Sequence, residues 1–490
     1  MIGKCRRTGL LAGIGIAALA GAGPANADSL REALARAYAT NPTLMAARAQ
    51  QRAIDEGVPI ERAAGLPSAS ADISYNEYLE KGNSSFASPD RSLNGQLQLN
   101  VPVYSGGAVK NSVRAAKTRV AAGQADLRGT ESAIFSQVVA AYMDVILQEA
   151  VVNVRRNQVD VLTVNLQATS DRFEIGDLTR TDVAQSQARL ALAESDARTA
   201  EANLAGARET YIRLVGVPPG DLDPPPPLPN LPASAEQAVL IALENNPDII
   251  AAKQRSEASR YDVEVAGAGR LPRVSLYGQG AYSDNFGTGG TISGITFADR
   301  DKSAQVGAQV SIPLFQGGRP AALRRQAQAQ TAAALETEIA IERDVIAQAR
   351  SAFATWVSSQ KVIESSQEAV QAASLSLEGV RAENTVGNRT VLDILDAEQE
   401  LIVSQVSLLT ARRNAYVAAF TLLAAMGRAE ARDLGLDGGA LYDPQDNYDR
   451  VRGKWFDWDT DPMPQVLATR TVDTPVQGGE ASTVDSQQGQ

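Results

Sequence analysis

Apolar residues recur at every seventh position through two long stretches of the chain. The first stretch, residues 106–172, contains no proline and little glycine. A seven-residue apolar repeat predicts α-helices that pack as coiled coils. The first stretch carries two such series, Val113, Val120, Leu127, Ile134 and Ala141, and Val138, Val145, Val152, Val159 and Leu166; the second carries Ile339, Ile346 and Phe353, and Trp356, Ile363, Val370 and Leu377. Two seams on one helix predict a neighbour on each side, whereas a free two-stranded coiled coil would show one.

The lengths of the predicted helices indicate rods of equal height. Helix 106–172 would be ~100 Å long, whereas the returning helix 177–216 covers only ~60 Å. Residues 43–66 supply the missing ~36 Å if they stack end to end with that return. The second half has the same parts at 248–271, 317–383 and 388–426. Each half therefore predicts one long rod and one rod made of two pieces.

Short segments with period-two alternation lie between these helices and predict β-strands. Their apolar positions are Leu97, Leu99, Val101 and Val103 in the first half, and Val306, Ala308, Val310 and Ile312 in the second. Partner strands are marked by Ile73 and Tyr75, and by Val274 and Leu276. The connections 79–91 and 284–302, rich in Gly, Ser, Asn and Asp, are predicted as outer loops.

Two interpretations fit these strands. An apolar face and a polar face along about ten residues are typical of a membrane β-strand with lipid outside and water inside. A soluble, half-buried hairpin would look similar. The export signal described below and the lack of a globular core for the strands to cover favour the membrane. Because membrane barrels begin at about eight strands, four strands per chain predict that several chains share one barrel.

The chain repeats itself at an offset of about 211 residues, which indicates two tandem structural repeats. Residues 101–107 (VPVYSGG) match 312–318 (IPLFQGG), and 175–183 match 386–394. We predict a signal peptide at 1–27, a first repeat at 28–216, a Pro-rich linker at 217–233, a second repeat at 234–427 and an acidic extension at 428–490. The predicted junctions between strand and long helix are Pro102, Gly106, Gly107, Pro313, Gly317 and Gly318.

The N-terminus predicts export from the cytoplasm. Lys4, Arg6 and Arg7 precede an apolar run and an Ala-Asn-Ala cleavage site at 25–27. Cys5, the one cysteine, lies inside this segment, so the mature chain would have neither a disulfide nor a lipid-anchor cysteine. Losing the three cationic residues takes the net charge from −11 to −14, which argues against nucleic acid or anionic lipid as the main partner. We found no later stretch of ~20 uncharged apolar residues, and so expect no membrane-spanning helix.

The residues that are missing limit the chemistry. Without His anywhere, and without Cys after residue 27, the usual catalytic triad, a thiolate nucleophile and a typical zinc site are excluded. Carboxylate pairs are the remaining route to catalysis. We therefore expect no enzyme, no metal site and no cofactor.

The extension 428–490 carries 12 acidic residues against 6 basic ones and ends in a Ser/Gln/Gly-rich stretch. This composition predicts an extended segment wrapped on the helices, followed by a disordered tail. The run Trp455-Phe456-Asp457-Trp458 is expected to anchor the segment on the chain's own helices, with docking of a partner as the alternative.

Together, the two Gly-Gly junctions, the run 386–397 (VGNRTVLDILDA) and the tandem repeat resemble the TolC family of outer-membrane efflux and secretion ducts. The resemblance covers residues 28 to 427. It implies a mixed α/β membrane protein in the outer membrane of a Gram-negative bacterium. Its homotrimer would share a 12-stranded outer-membrane β-barrel that touches lipid, continued by a long α-helical coiled-coil tunnel through the periplasm. The implied partners are a periplasmic adaptor and an inner-membrane transporter of the ABC or RND type.

The resemblance also implies a gate at the periplasmic tip. Asp393 and Asp396 match the aspartates that narrow the entrance in the family, and their i, i+3 spacing puts both carboxylates on one side of a helix. Arg389, with Thr181 and Asp182 of the first repeat, corresponds to links that hold the tip closed. Asn384 stands where a tyrosine often sits, so the closing network is expected to differ here.

Alternatives remain open at this point. From spacing alone, Arg389 and Asp393 could be an ordinary surface ion pair, and Asp182 could cap a first helical turn. A periplasmic coiled-coil adaptor would also have long helical hairpins, but it would usually carry a β-rich domain and no tandem repeat. A coiled-coil scaffold would lack amphipathic strands. Small-molecule efflux and type I protein secretion are not separated by these residues.

Overall fold

Both halves of the chain fold into the same series of elements. The computed structural model describes residues 29–80, 89–288, 291–292, 295–296, 298–436 and 441–480. The first half contains α1 (Leu30–Thr40), α2 (Pro42–Asp55), α3 (Gly57–Ala63), β1 (Ser68–Glu77), β2 (Arg91–Tyr104), α4 (Ala108–Glu174) and α5 (Arg180–Val215). The second contains α6 (Ala235–Asn245), α7 (Pro247–Gly267), β3 (Arg273–Asp284), β4 (Thr291–Ile292), β5 (Ile295–Thr296), β6 (Arg300–Ser311), α8 (Arg319–Thr385) and α9 (Val391–Ala425), followed by α10 (Pro444–Val451). The predicted signal peptide, much of the first outer loop and the last ten residues lie outside the described ranges.

The four long strands form one antiparallel sheet in the order β1-β2-β3-β6. Several apolar side chains at the predicted positions of these strands are exposed in the single chain, up to 89% at Val306. The predicted end of the last strand was wrong by one residue, because β6 ends at Ser311 and leaves Ile312 outside the strand. Strands β1 and β6 are the two edges of the sheet, and each has a row of backbone hydrogen-bonding groups that pairs with no other described strand.

The strand-to-helix junctions use glycine in the left-handed backbone region. Gly107 and Gly318 are the N-caps of α4 and α8, with φ of 84° and 82°. Side chains other than glycine pay a steric cost in that conformation. In the first repeat, Pro102 lies at a β-bulge, where its missing amide hydrogen is tolerated.

The predicted rods are present and nearly as long as expected. Helices α4 and α8 have 67 residues each, which corresponds to ~100 Å. The shorter rod of each repeat is joined by an Asn-Pro step. Asn41 donates from Nδ2 to the carbonyl of Leu214 at 3.0 Å, and Asn246 donates to Ala425 at 3.0 Å. Each asparagine also caps the helix that it begins, so one side chain joins two helix ends.

Residues 43–66 do not form the single helix that the sequence analysis predicted. Helix α2 ends at Asp55 and α3 begins at Gly57. Pro59 explains the break, because it cannot donate a helical hydrogen bond to the carbonyl of Asp55 and its ring crowds the preceding turn. The matching helix α7 of the second repeat is continuous over 21 residues.

The rods pack side by side in an order that follows the sheet. Helix α4 packs against two rods. One rod consists of α5 with α2 and α3, and the other is the pair α7 and α9. Helix α8 packs on α7 and α9 from one side. The predicted two-sided packing therefore holds for α4, whereas α8 keeps exposed apolar residues such as Ile339, Val362 and Leu375. Helices α5 and α8 are the edges of the helical layer, as β1 and β6 are the edges of the sheet.

The largest core surrounds the middle of α4. Phe135, Val138, Tyr142 and Val145 are fully buried there among residues of α1, α5 and α9. Contrary to our expectation from the sequence, α4 is long and apolar enough to cross a membrane, by length and composition only. The middle of this helix packs in the core described above.

The C-terminal extension has α10 packed on α2 and no helix or strand from 454 to 480. Arg208 of α5 donates to the carbonyls of Gly478 and Glu480, both at 2.8 Å, which fixes the far end of the segment. The prediction that the aromatic run 455–458 packs on the helices of its own chain is wrong, since Trp455 and Trp458 are 74% and 84% exposed. Ion pairs of Arg450 and Lys454 with Asp461 hold this part of the segment instead.

Candidate functional site at the helical tip

The candidate site lies where the two helical hairpins turn, at the end of the rods away from the sheet. The α4–α5 turn and the α8–α9 turn share one local design. A left-handed glycine, Gly176 or Gly387, ends the long helix. A threonine, Thr179 or Thr390, then caps the return helix.

Asp393 completes the cap of α9. Its Oδ2 accepts hydrogen bonds from the backbone amide of Thr390 at 2.8 Å and from the Thr390 hydroxyl at 2.7 Å. The Thr390 hydroxyl in turn accepts from the amide of Asp393 at 3.2 Å, which makes a capping box. These hydrogen bonds, the one from the Thr390 backbone first, and the charge of Arg389 lower the pKa of the Asp393 carboxyl. The group is therefore an anion at any physiological pH.

Asp182 has the same role at the start of α5. Its Oδ2 accepts from the amide and hydroxyl of Thr179, at 2.9 and 2.7 Å. Hydrogen bonds from Thr179 lower the pKa of the Asp182 carboxyl. The capping role left open in the sequence analysis is thus real for Asp182, and it applies to Asp393 as well. A Thr-x-x-Asp pattern at both turns was the signal for it.

Arg389 is held within its own hairpin. Its Nε lies 2.7 Å from Oε2 of Glu383, and its Nη1 lies 3.9 Å from Oδ1 of Asp393. Asn384 donates to the backbone carbonyl of Arg389 at 2.8 Å. Within the described part of this chain, Arg389 has no contact with Thr181 or Asp182. Glu383, which the sequence analysis did not single out, is its closest ion-pair partner there.

Asp396 belongs to a different contact. Its Oδ1 lies 2.5 Å from Nη2 of Arg189 on α5, so the pair joins the second hairpin to the first. The sequence analysis missed Arg189, because the contact spans 207 residues and depends on which helix faces meet. Although Asp393 and Asp396 are one turn apart on α9, one is bonded inside its hairpin and the other across to its neighbour.

An apolar contact supports this crossing. Leu162 of α4 and Ala193 of α5 pack with Val391 and Leu395 of α9, and Leu395 is only 2% exposed. A neutral hydrogen bond from Gln158 Nε2 to Gln399 Oε1, at 3.1 Å, lies beside the same contact. The tip thus has a small buried seam between hairpins with charged groups around it.

Tandem helical rods with a small amphipathic sheet at one end and a charged turn region at the other define a class of protein, the outer-membrane ducts with a periplasmic helical tunnel. Comparison with known proteins agrees. The chain belongs to the outer membrane efflux protein family, whose model matches residues 33–217 and 239–428, one match in each repeat. The adaptor and scaffold alternatives are therefore not supported.

Individual relatives match over most of their length. The chain is 34% identical to the outer membrane efflux protein BepC of Brucella suis, over 88% of this chain and 91% of BepC. It is 25% identical to the outer membrane protein TolC of Vibrio cholerae, over 83% of this chain and 92% of TolC. The fold resembles that of the Campylobacter jejuni CmeC outer membrane channel, with a TM-score of 0.71 at 16% identity, covering 86% of this chain and 89% of CmeC.

Proposed function

We propose that three copies of this chain form one continuous outer-membrane duct. The proposal rests on the unpaired edges of the two layers, which are β1 and β6 in the sheet and α5 and α8 in the helical layer. Pairing β6 of one copy with β1 of the next would close three four-stranded sheets into a 12-stranded barrel in outer-membrane lipid. The same rotation would place α8 of one copy against α5, α2 and α3 of the next. It would cover the apolar residues that α8 leaves exposed.

The duct would work passively as the exit of a tripartite efflux or type I secretion system, and not as an enzyme. Its partners would be a periplasmic adaptor and an inner-membrane transporter of the ABC or RND type. The relatives include proteins named for efflux and for secretion. BepC is an outer membrane efflux protein. AprF of Pseudomonas aeruginosa, which is 30% identical over 56% of this chain, is an alkaline protease secretion protein. Both substrate classes remain candidates.

The tip would be the gate. In a threefold assembly, Asp393 and Asp396 would supply up to six carboxylates around the axis, a ring able to attract cations. Arg389 would hold the closed tip together with Thr181 and Asp182 of a neighbouring copy. The lowered pKa of Asp393 and its exposed position support the anionic ring. Asn384 bonds within its own hairpin, so we expect it to add little across the gate.

Single-channel recording in planar bilayers tests this function. The detergent-extracted mature protein should give a small resting conductance that a multivalent cation blocks from the tip side. The double variant Asp393→Asn/Asp396→Asn should lose the block. Asp177→Asn is the matched control, because it removes an exposed tip carboxylate in the first hairpin and should leave the block intact.

A second variant tests the closing links. Arg389→Ser should raise the resting conductance, since it removes the proposed contact between copies. Two results would contradict the proposal: no channel from a protein that stays soluble without detergent, or cation block unchanged in the double variant. The first would argue against a membrane barrel, and the second would remove both aspartates from the constriction.

A further inference from the structure

The ion pair between Arg189 and Asp396 is the starting point. Arg189 lies about 15 Å along α5 from the capping Thr179, and Asp396 about 9 Å along α9 from the capping Thr390. Their side chains are 34% and 57% exposed, so the pair sits at the rim of the apolar seam and in contact with water. Nη2 of Arg189 donates a charge-assisted hydrogen bond to Oδ1 of Asp396.

Within the described residues of one chain, Asp393 and Arg389 of the second turn make no contact across to the first hairpin. Asp393 bonds to Thr390, and Arg389 bonds to Glu383. If the second hairpin swung away from the first, these contacts would move with it unchanged. The pair of Arg189 and Asp396 would have to break.

We propose that Arg189 is the latch of the tip. In the resting state it ties the second hairpin to the first within each chain and neutralises Asp396. The resting ring would then present chiefly the three Asp393 carboxylates, and separation of the hairpins would expose three more. This inference rests on the proposed threefold duct and adds a residue that controls both its opening and its charge.

Arg189→Gln should therefore have two effects in planar bilayer recordings. Opening should become easier, by about twofold for each latch and about tenfold for three, as expected for partly exposed ion pairs. Block by a multivalent cation should become several-fold tighter, because three aspartates lose their counter-charge. Asp396→Asn should ease opening to a similar extent but weaken the block.

The opposite effects on block separate a latch from a merely structural residue, which would change opening alone. Arg198→Gln is the control, since Arg198 is an exposed arginine on the same helix. The charge swap Arg189→Asp/Asp396→Arg should restore resting conductance towards that of the wild type. Extraction yield and helical content of each variant show whether it folds.

A cross-link tests the latch without relying on charge. The predicted mature chain has no cysteine, so Arg189→Cys/Asp396→Cys carries the only two thiols. A short bifunctional thiol reagent should hold the tip shut, and the uncross-linked double variant should open easily. Cross-linked channels that open like the wild type would overturn the latch.

The two proposals fail in different ways. If the wild type forms no channel, the duct and the latch fall together. If the wild type forms a channel blocked through Asp393, but Arg189→Gln matches the wild type in both opening and block, the duct stands and the latch is wrong.

Discussion

Replacing Asn41 by alanine tests how the short rod is joined. The side chain of Asn41 makes contacts on both sides of the step between α5 and α2. Its Oδ1 accepts from the amides of Thr43 and Leu44, at 3.0 and 3.3 Å, and its Nδ2 donates to the carbonyl of Leu214. Asn41 is only 3% exposed and Leu214 4%, so water cannot readily replace these partners.

The magnitude follows from the two lost functions. Loss of an N-cap costs about 1 kcal/mol. Leaving the buried carbonyl of Leu214 without a donor costs about 1–3 kcal/mol more. Asn41→Ala should therefore lower the free energy of unfolding by about 2–4 kcal/mol. Asn41→Ser keeps a capping oxygen but lacks the long donor, so it should lose about 1 kcal/mol less.

Guanidinium denaturation of the detergent-extracted protein, followed by far-UV circular dichroism at one protein concentration, measures these differences. Asn245→Ala is the matched control. Its side chain donates to the carbonyl of Ile241 within its own helix, so we expect a loss below about 1 kcal/mol. An Asn41→Ala protein within about 0.5 kcal/mol of the wild type would refute the role of Asn41 at this step.

Three further predictions concern the gate, the junctions and the core. In an Asp396→Asn background, block by a multivalent cation should persist as the pH falls to 3.8, the ordinary pKa of an aspartate, because the lowered pKa of Asp393 keeps that carboxylate charged. If the block were half lost at a pH above 3.8 in single-channel recordings, Asp393 would not be hydrogen-bonded as described. Gly106→Ala should lower the melting temperature of the protein more than Gly317→Ala. Both glycines have positive φ, but only at Gly106 would a new Cβ lie 2.9 Å from Leu271. Equal decreases in melting temperature would contradict this steric argument. Burial raises the pKa of Glu131, so its contribution to stability should fall as the pH rises above 4.5, and Glu131→Gln should flatten that part of the stability curve.

Helix lengths and strand positions were predictable because local signals agree along the chain. The predicted helix 106–172 is observed as Ala108–Glu174, since glycine marks both ends and the apolar repeat runs unbroken between them. The helix break after Asp55 has a local signal, Pro59, so the sequence does contain the information that predicts it. The exposure of Trp455 was not readable, because composition alone does not say whether a neighbouring surface exists to cover it.

At the tip, too, local features were predictable from the sequence and contacts between distant residues were not. A capping box is local, and Thr390 with Asp393 three positions along the chain contains the whole pattern. The pairing of Arg189 with Asp396 is not local. It depends on the crossing of α5 and α9, which the buried contacts of Leu395 fix. Spacing on α9 placed both aspartates on one side of the helix, yet their partners lie in different hairpins.

Comparison of the two repeats locates the specialised residues. The Asn-Pro step, the left-handed glycines and the Thr-x-x-Asp cap occur in both repeats, as expected for features that the fold itself requires. At the repeat offset, Asp396 corresponds to Gln185, and Arg189 corresponds to Glu400. The pair therefore has no counterpart of the same charge, so a second copy of it cannot form on the other side of the chain. Other contacts also join the hairpins, such as the ion pair of Arg413 with Asp144 farther along α9, but Arg189 with Asp396 is the charged pair beside the tip. A charged pair near the tip that is present in only one repeat is what a one-sided opening movement of the second hairpin requires.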